Sequence, residues 1–189
     1  MLVTVGDDGK QCYPVGMPKA AAPVPETNDA TLAALAARLA EQLLAHGLKL
    51  AAAESCTGGW IAKCLTDIAG SSEWFERGFV TYSNGAKVTM LGVSAETLAS
   101  RGAVSEESAR EMAAGAVRHS QAQVAVAVSG IAGPAGGSAE KPVGSVWIAW
   151  AWPDRRVSAR CFHFDGNREA VRRAAVAEAL KGLLQGVGR

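Results

Sequence analysis

Two short runs of small, mostly apolar residues, 48–53 (LKLAAA) and 123–128 (QVAVAV), constrain this chain more than any other feature of it. Each has the length of a strand, and each runs directly into a polar, glycine-rich turn. The second is apolar throughout after its glutamine, as in a strand covered on both faces. Helices must supply that cover, and the chain offers them. Leu32, Leu35, Leu39 and Leu43 share one helical face, with Asn28 or Asp29 as the cap and Gly47 as the stop. Further helical patterns occupy 60–68 and 86–91, and another runs from a Ser105 cap to about His119 with Glu106 and Glu107 in its first turn. A last helix opens at Asn167 and is expected to end among Gly182, Gly186 and Gly188. Strands are also predicted at 79–83 (FVTYS), 143–152 and 155–164, the last two as a hairpin around Pro153 and Asp154. The predicted fold class is α/β: a single layered α/β/α domain with a mixed sheet.

At 189 residues the chain suffices for one ordinary domain. Residues 1–29 differ from the rest, with Pro14, Pro18, Pro23 and Pro25 in an alanine-rich stretch that cannot hold a helix. They read as an N-terminal arm, with 2–5 and 11–15 able to pair as a small hairpin, and 30–189 as the domain proper. A net charge of +1 leaves no electrostatic footprint for a phosphate backbone, so nucleic acid is not an expected partner. No apolar run reaches the length of a membrane span, and Asp7 and Asp8 interrupt the apolar N-terminus, so a cytoplasmic protein is expected. Cys12, Cys56, Cys64 and Cys161 are unevenly spaced, with no histidine at ligand spacing; reduced thiols and no metal are the expectation. Trp147, Trp150 and Trp152 share a strand with mixed parity, which predicts one aromatic facing a partner subunit in a homo-oligomer.

The chemistry is sought in the two turns, because α/β sheets bind ligands where strands end and helix N-termini present free N–H groups. In the first, Ser55 leaves a strand just before a helix, and the amides of Cys56, Thr57, Gly58 and Gly59 can face an incoming oxygen. Spacing alone favours Ser55 and Thr57 as caps, with Gly58 and Gly59 there for close packing. A serine nucleophile needs a base, and His46, His119 and His163 all fall at helix ends or in a strand pattern. Lys87, in Tyr82-Ser83-Asn84-Gly85-Ala86-Lys87, can serve instead if burial lowers its pKa; the other reading is a solvated helix lysine. The second turn, 128–134 (VSGIAGP), offers the Ser129 hydroxyl followed by bare backbone at Gly130 and Gly133, suited to an oxyanion or a phosphate.

With AESCTGGWIA (53–62), TDIAGSSEWF (66–75), YSNGAK (82–87), LGV (91–93), GAVSEESA (102–109), VSGIAGPAGGSAEKPVGSVWIA (128–149) and GNREAVR (166–172), the sequence resembles the CinA C-terminal domain family of nicotinamide-nucleotide amidases. The resemblance covers about residues 31–186. It implies a cofactor-free, metal-independent amidohydrolase that deamidates nicotinamide mononucleotide to nicotinate mononucleotide and ammonia. On matching positions it implies Ser55 as nucleophile, Lys87 as general base and Tyr82 as an aid to proton traffic. Thr57, Gly58, Gly59, Asn84, Ser129, Gly130, Gly133 and Arg168 are the implied substrate-binding residues. Ser129 stands where the family usually has threonine, and Arg168 suits the substrate phosphate.

For this chemistry Lys87 must lose its proton near neutrality, down from about 10.4. Cys56 is the rival nucleophile, since a thiol at a helix N-terminus can ionise. The alternative function is a non-catalytic module that senses a nucleotide or docks a partner; a metal-dependent phosphohydrolase is disfavoured because no acidic cluster is evident.

Overall fold

The Asn28 side chain accepts the Thr31 amide at 2.9 Å and so starts α1 (Asp29–Ala45), which buries Leu32, Ala36, Leu39 and Leu43. The computed structural model describes residues 27–187. The expected arm, hairpin included, lies outside the described residues up to residue 26.

After α1 come β1 (Leu50–Glu54), α2 (Trp60–Thr66), β2 (Phe75–Val80), α3 (Asn84–Leu91), α4 (Ala95–Ser100), α5 (Glu106–Arg118), β3 (Val124–Gly130), β4 (Ser145–Ala151), β5 (Val157–His163) and α6 (Arg168–Gly186). The five strands form one sheet in the order β2-β1-β3-β4-β5. β1 runs parallel to both β2 and β3, whereas β3, β4 and β5 are successively antiparallel, so the sheet is mixed.

The strand residues explain the layers. Leu50 and Ala52 of β1 and Val124, Val126 and Val128 of β3 point to one face, where α1, α2 and α6 pack. Ala51, Ala53, Ala125 and Ala127 point to the other and meet Ala109, Met112, Ala113 and Ala116 of α5. Alternation of valine with alanine thus gives one face bulk and lets α5 approach the other closely. This is the expected three-layer α/β/α domain.

The structure corrects several details. The second strand lies at Phe75–Val80, not 79–83. It is an edge strand whose Glu76, Arg77 and Gly78 need not be apolar, and it ends at Val80, after which Ser83 caps α3 by accepting the Ala86 amide. The helical pattern read at 86–91 begins two residues earlier, with Asn84 and Gly85 as the first residues of that helix. The short α4, capped by Ser94, was not anticipated. The last helix ends at Gly186, within the expected region, and Gly182 lies inside it. Gly182 sits under the Trp150 indole, which a Cβ would meet at 2.2 Å, and Gly186 sits likewise under Trp152 at 2.1 Å. Trp150 also donates to the Ala179 carbonyl at 3.0 Å. Trp150 is buried, while Trp152 on the α6 side and Trp147 on the α5 side are each only partly buried. Cys56 and Cys64 are free. No described helix is long and apolar enough to cross a membrane.

Candidate active site

β1, β2 and β3 run parallel, so their carboxyl ends lie together and deliver three segments to one place. The ladders continue past the strands: the Ser55 amide donates to the Val128 carbonyl at 3.0 Å, and the Thr81 amide to the Glu54 carbonyl at 2.8 Å. Ser55 is therefore fixed between the exits of β2 and β3.

Lys87 lies one helical turn beyond the Ser83 cap, on the inward face of α3, and is 1% exposed. Its Nζ reaches Ser55 Oγ at 3.0 Å, the Thr81 carbonyl at 2.8 Å and the Tyr82 carbonyl at 3.5 Å. Both carbonyls can only accept, so they orient N–H bonds of the amine toward themselves. Once the amine is neutral, its lone pair is left for the third direction, toward the Ser55 hydroxyl. Burial holds the Lys87 pKa below its ordinary value, because desolvation penalises the ammonium; a thiolate at Cys56 would act weakly in the opposite sense. Cys56 itself is pushed up to about 11, mainly by burial, which makes it a poor rival nucleophile.

The turn after Ser55 is held from two sides. Glu54, 1% exposed, accepts the amides of Gly59 and Ile61 at 3.0 and 3.1 Å on one carboxylate oxygen and that of Ala62 at 2.8 Å on the other. It thereby occupies the N-terminus of α2, where the helix dipole favours an anion. Arg172 of α6 donates through Nε to the Cys56 carbonyl at 3.0 Å and through Nη2 to the Thr57 carbonyl at 2.7 Å. Its guanidinium lies over the Trp60 ring, 5.1 Å from the centroid. The Gly58 amide donates to the Ser55 carbonyl at 3.1 Å. Of the four amides expected to be free, those of Gly58 and Gly59 are thus committed. Those of Cys56 and Thr57 donate to no oxygen among the described residues. Gly58 and Gly59 adopt φ of 61° and 95°, values that glycine reaches without strain.

Arg168, the first residue of α6, ties two other segments together. It donates to the Gly133 carbonyl at 2.8 Å and to the Tyr82 hydroxyl at 3.1 Å. Tyr82 is 61% exposed, so its ring stands at the rim with its hydroxyl toward Arg168, while only its carbonyl meets Lys87. Asn84 is exposed at the start of α3. Ser129 is buried, and its hydroxyl donates to the Ala103 carbonyl at 2.7 Å, anchoring the segment before α5. Gly130 admits β4: a Cβ there would meet Val146 Cγ2 at 2.6 Å. Gly133, at φ 77°, is similarly pressed by Val143 at 2.5 Å. The hydroxyl of Thr57 is fully buried and has no partner among the described residues.

Ser55, Lys87 and the Thr57 turn converge at one point, with Tyr82 and Arg168 at its rim. Among the described residues no group of three His, Cys, Asp or Glu side chains is placed to hold a metal ion. Sequence reasoning missed Glu54 and Arg172. A carboxylate closing an apolar strand six residues before a helix, and an arginine four residues after Arg168 on the same helix face, were the available signals.

The model of the CinA C-terminal domain matches residues 32–187. The nicotinamide-nucleotide amidohydrolase PncC of Escherichia coli K12 is 56% identical over 157 residues, which cover 83% of this chain and 95% of that protein. The protein of the same name from Pseudomonas putida is 54% identical over 80% of this chain and 94% of its own length. Among solved structures, the competence/damage inducible protein CihA of Agrobacterium tumefaciens superposes with a TM-score of 0.80 at 49% identity, covering 82% of this chain and 94% of that one. The competence damage-inducible protein A of Klebsiella pneumoniae gives 0.81 at 40% identity, covering 84% and 98%. The turns and the helix that carry the site all fall inside the matched region, and the chain belongs to the CinA C-terminal domain family.

Proposed function

We propose that this protein is an amidohydrolase that converts nicotinamide mononucleotide and water to nicotinate mononucleotide and ammonia. The observation that carries the reading is the buried contact of Lys87 Nζ with Ser55 Oγ at 3.0 Å. The names of the PncC relatives support the substrate.

In this mechanism Ser55 Oγ attacks the carboxamide carbon while neutral Lys87 takes its proton. The amides of Cys56 and Thr57 stabilise the oxyanion. The C–N bond then breaks, the proton passes from Lys87 to the departing ammonia, and water cleaves the ester at Ser55 with Lys87 again as base. The pyridinium of the substrate makes the amide carbon more electrophilic and disfavours the ammonium form of a nearby lysine. Arg168 keeps N–H donors beyond the two it gives to Gly133 and Tyr82, and these suit the substrate phosphate. Tyr82 acts here through Arg168, at the rim. Ser129 and Gly130 shape the opposite wall from within the sheet.

Ammonia release from nicotinamide mononucleotide, measured on the purified protein, tests the reading. Multiple turnovers with nicotinate mononucleotide as co-product are expected; saturable binding without turnover would favour the nucleotide-sensing module instead. A cytoplasmic location and a homo-oligomer belong to the same proposal. Among the described residues Leu44, Val80, Tyr82, Val88 and Met90 are exposed apolar side chains on which an assembly would draw, and sedimentation decides it.

A further inference from the structure

Arg172 belongs to neither the Ser55–Lys87 pair nor the rim, yet it makes two charge-assisted hydrogen bonds to consecutive carbonyls of the turn that carries the nucleophile. Across a trans peptide the C=O and the following N–H point in opposite directions. A guanidinium that draws the Cys56 carbonyl to itself therefore turns the Thr57 N–H to the other side, and the same grip on the Thr57 carbonyl orients the Gly58 N–H, which closes on the Ser55 carbonyl at 3.1 Å. Trp60 supports the plane of Arg172 from beneath, and Arg173 lies over the same ring at 4.9 Å. From the far end of the turn, Glu54 takes up the amides of Gly59, Ile61 and Ala62. The amides of Cys56 and Thr57 remain uncommitted, and of the two the Thr57 amide is the one whose direction Arg172 sets through the Cys56 carbonyl.

We propose that Arg172 is a positioning residue for the amidase reaction: stacked on Trp60, it clamps the Cys56 and Thr57 carbonyls so that the Thr57 N–H is presented to the carbonyl oxygen of the substrate as it becomes an oxyanion. A planar fork with two donors is required, because one point charge cannot hold two successive carbonyls in fixed directions. The inference rests on the reading of Ser55 as nucleophile.

The test compares the steady-state kinetics of Arg172→Met and Arg172→Lys with wild type on nicotinamide mononucleotide, with thermal unfolding in parallel. Loss of an oriented oxyanion donor lowers kcat by about 10²-fold. Arg172→Met is expected to show that fall with KM within about threefold and an unshifted pH midpoint, because Lys87 is untouched. Arg172→Lys is expected to fall in between, since it keeps the charge and one contact. If Arg172→Met does not fold, Arg172→Lys decides. An unchanged kcat in a folded variant overturns the proposal, and so does a rise in KM at constant kcat, which would make Arg172 a phosphate ligand. Wild-type protein that releases no ammonia would instead refute the amidase reading itself.

Discussion

The amine of Lys87 lies 3.0 Å from the hydroxyl of Ser55, and the two side chains are 1% and 8% exposed. Neither residue reaches the other through local chain geometry. The parallel pairing of β1 with β2 brings the exit of one strand beside the exit of the other, and the Ser83 cap then sets the turn of α3 from which Lys87 points inward.

The pH dependence of turnover follows from that burial. Lys87 must be neutral to take a proton, and desolvation holds its pKa below the ordinary lysine value of 10.5. Activity is expected to be lost as pH falls, with the amine protonating, and the midpoint of that loss is expected below pH 10.5. A kcat/KM profile whose only ascending limb lies at 10.5 or above would place Lys87 outside the role of base.

Thiol reagents discriminate between the two adjacent nucleophiles. With its pKa near 11, Cys56 holds well under about 1% thiolate at neutral pH. Brief treatment of the folded protein with iodoacetamide is expected to leave ammonia release intact. Inactivation in step with alkylation of Cys56 would point to the thiol.

Glu54 is expected to matter for stability as well as for the site. Glu54→Ala leaves the amides of Gly59, Ile61 and Ala62 without their acceptor at the start of α2. Removing a buried acceptor from several donors costs at least ~2 kcal/mol, which lowers Tm by roughly 4–8 °C in a protein of this size. A melt unchanged by the substitution would mean that water replaces the carboxylate at no cost.

Gly182→Ala offers a test of opposite sign to the usual rule. In an exposed helix interior this change is favourable by roughly 0.5–1 kcal/mol, but here a Cβ would lie 2.2 Å from the Trp150 ring. Overpacking costs about 1–3 kcal/mol, so thermal unfolding is expected to show net destabilisation. A raised Tm would show that the indole moves aside freely.

These residues also mark what the sequence makes legible. The apolar run at 123–128 announces a strand covered on both faces, and the Asn28, Ser105 and Asn167 caps all stand in the structure. β2 was misplaced because an edge strand carries no requirement for apolar residues, and the reason for a glycine at 182, inside the last helix, is visible only once the indole above it is known. At the site, the chemical types at Ser55 and Lys87 name the candidates, but their separation is a property of strand order. Glu54 and Arg172 bind backbone atoms, and a side chain whose partners are peptide groups leaves no matching residue elsewhere in the sequence.

The most direct measurement is ammonia release from nicotinamide mononucleotide by wild type, Ser55→Ala and Lys87→Met, each checked for an intact fold by circular dichroism. Steady release by wild type and a loss of at least about 10³-fold in both variants are expected for a nucleophile and its base acting as a unit. Substantial release by either folded variant would contradict the account.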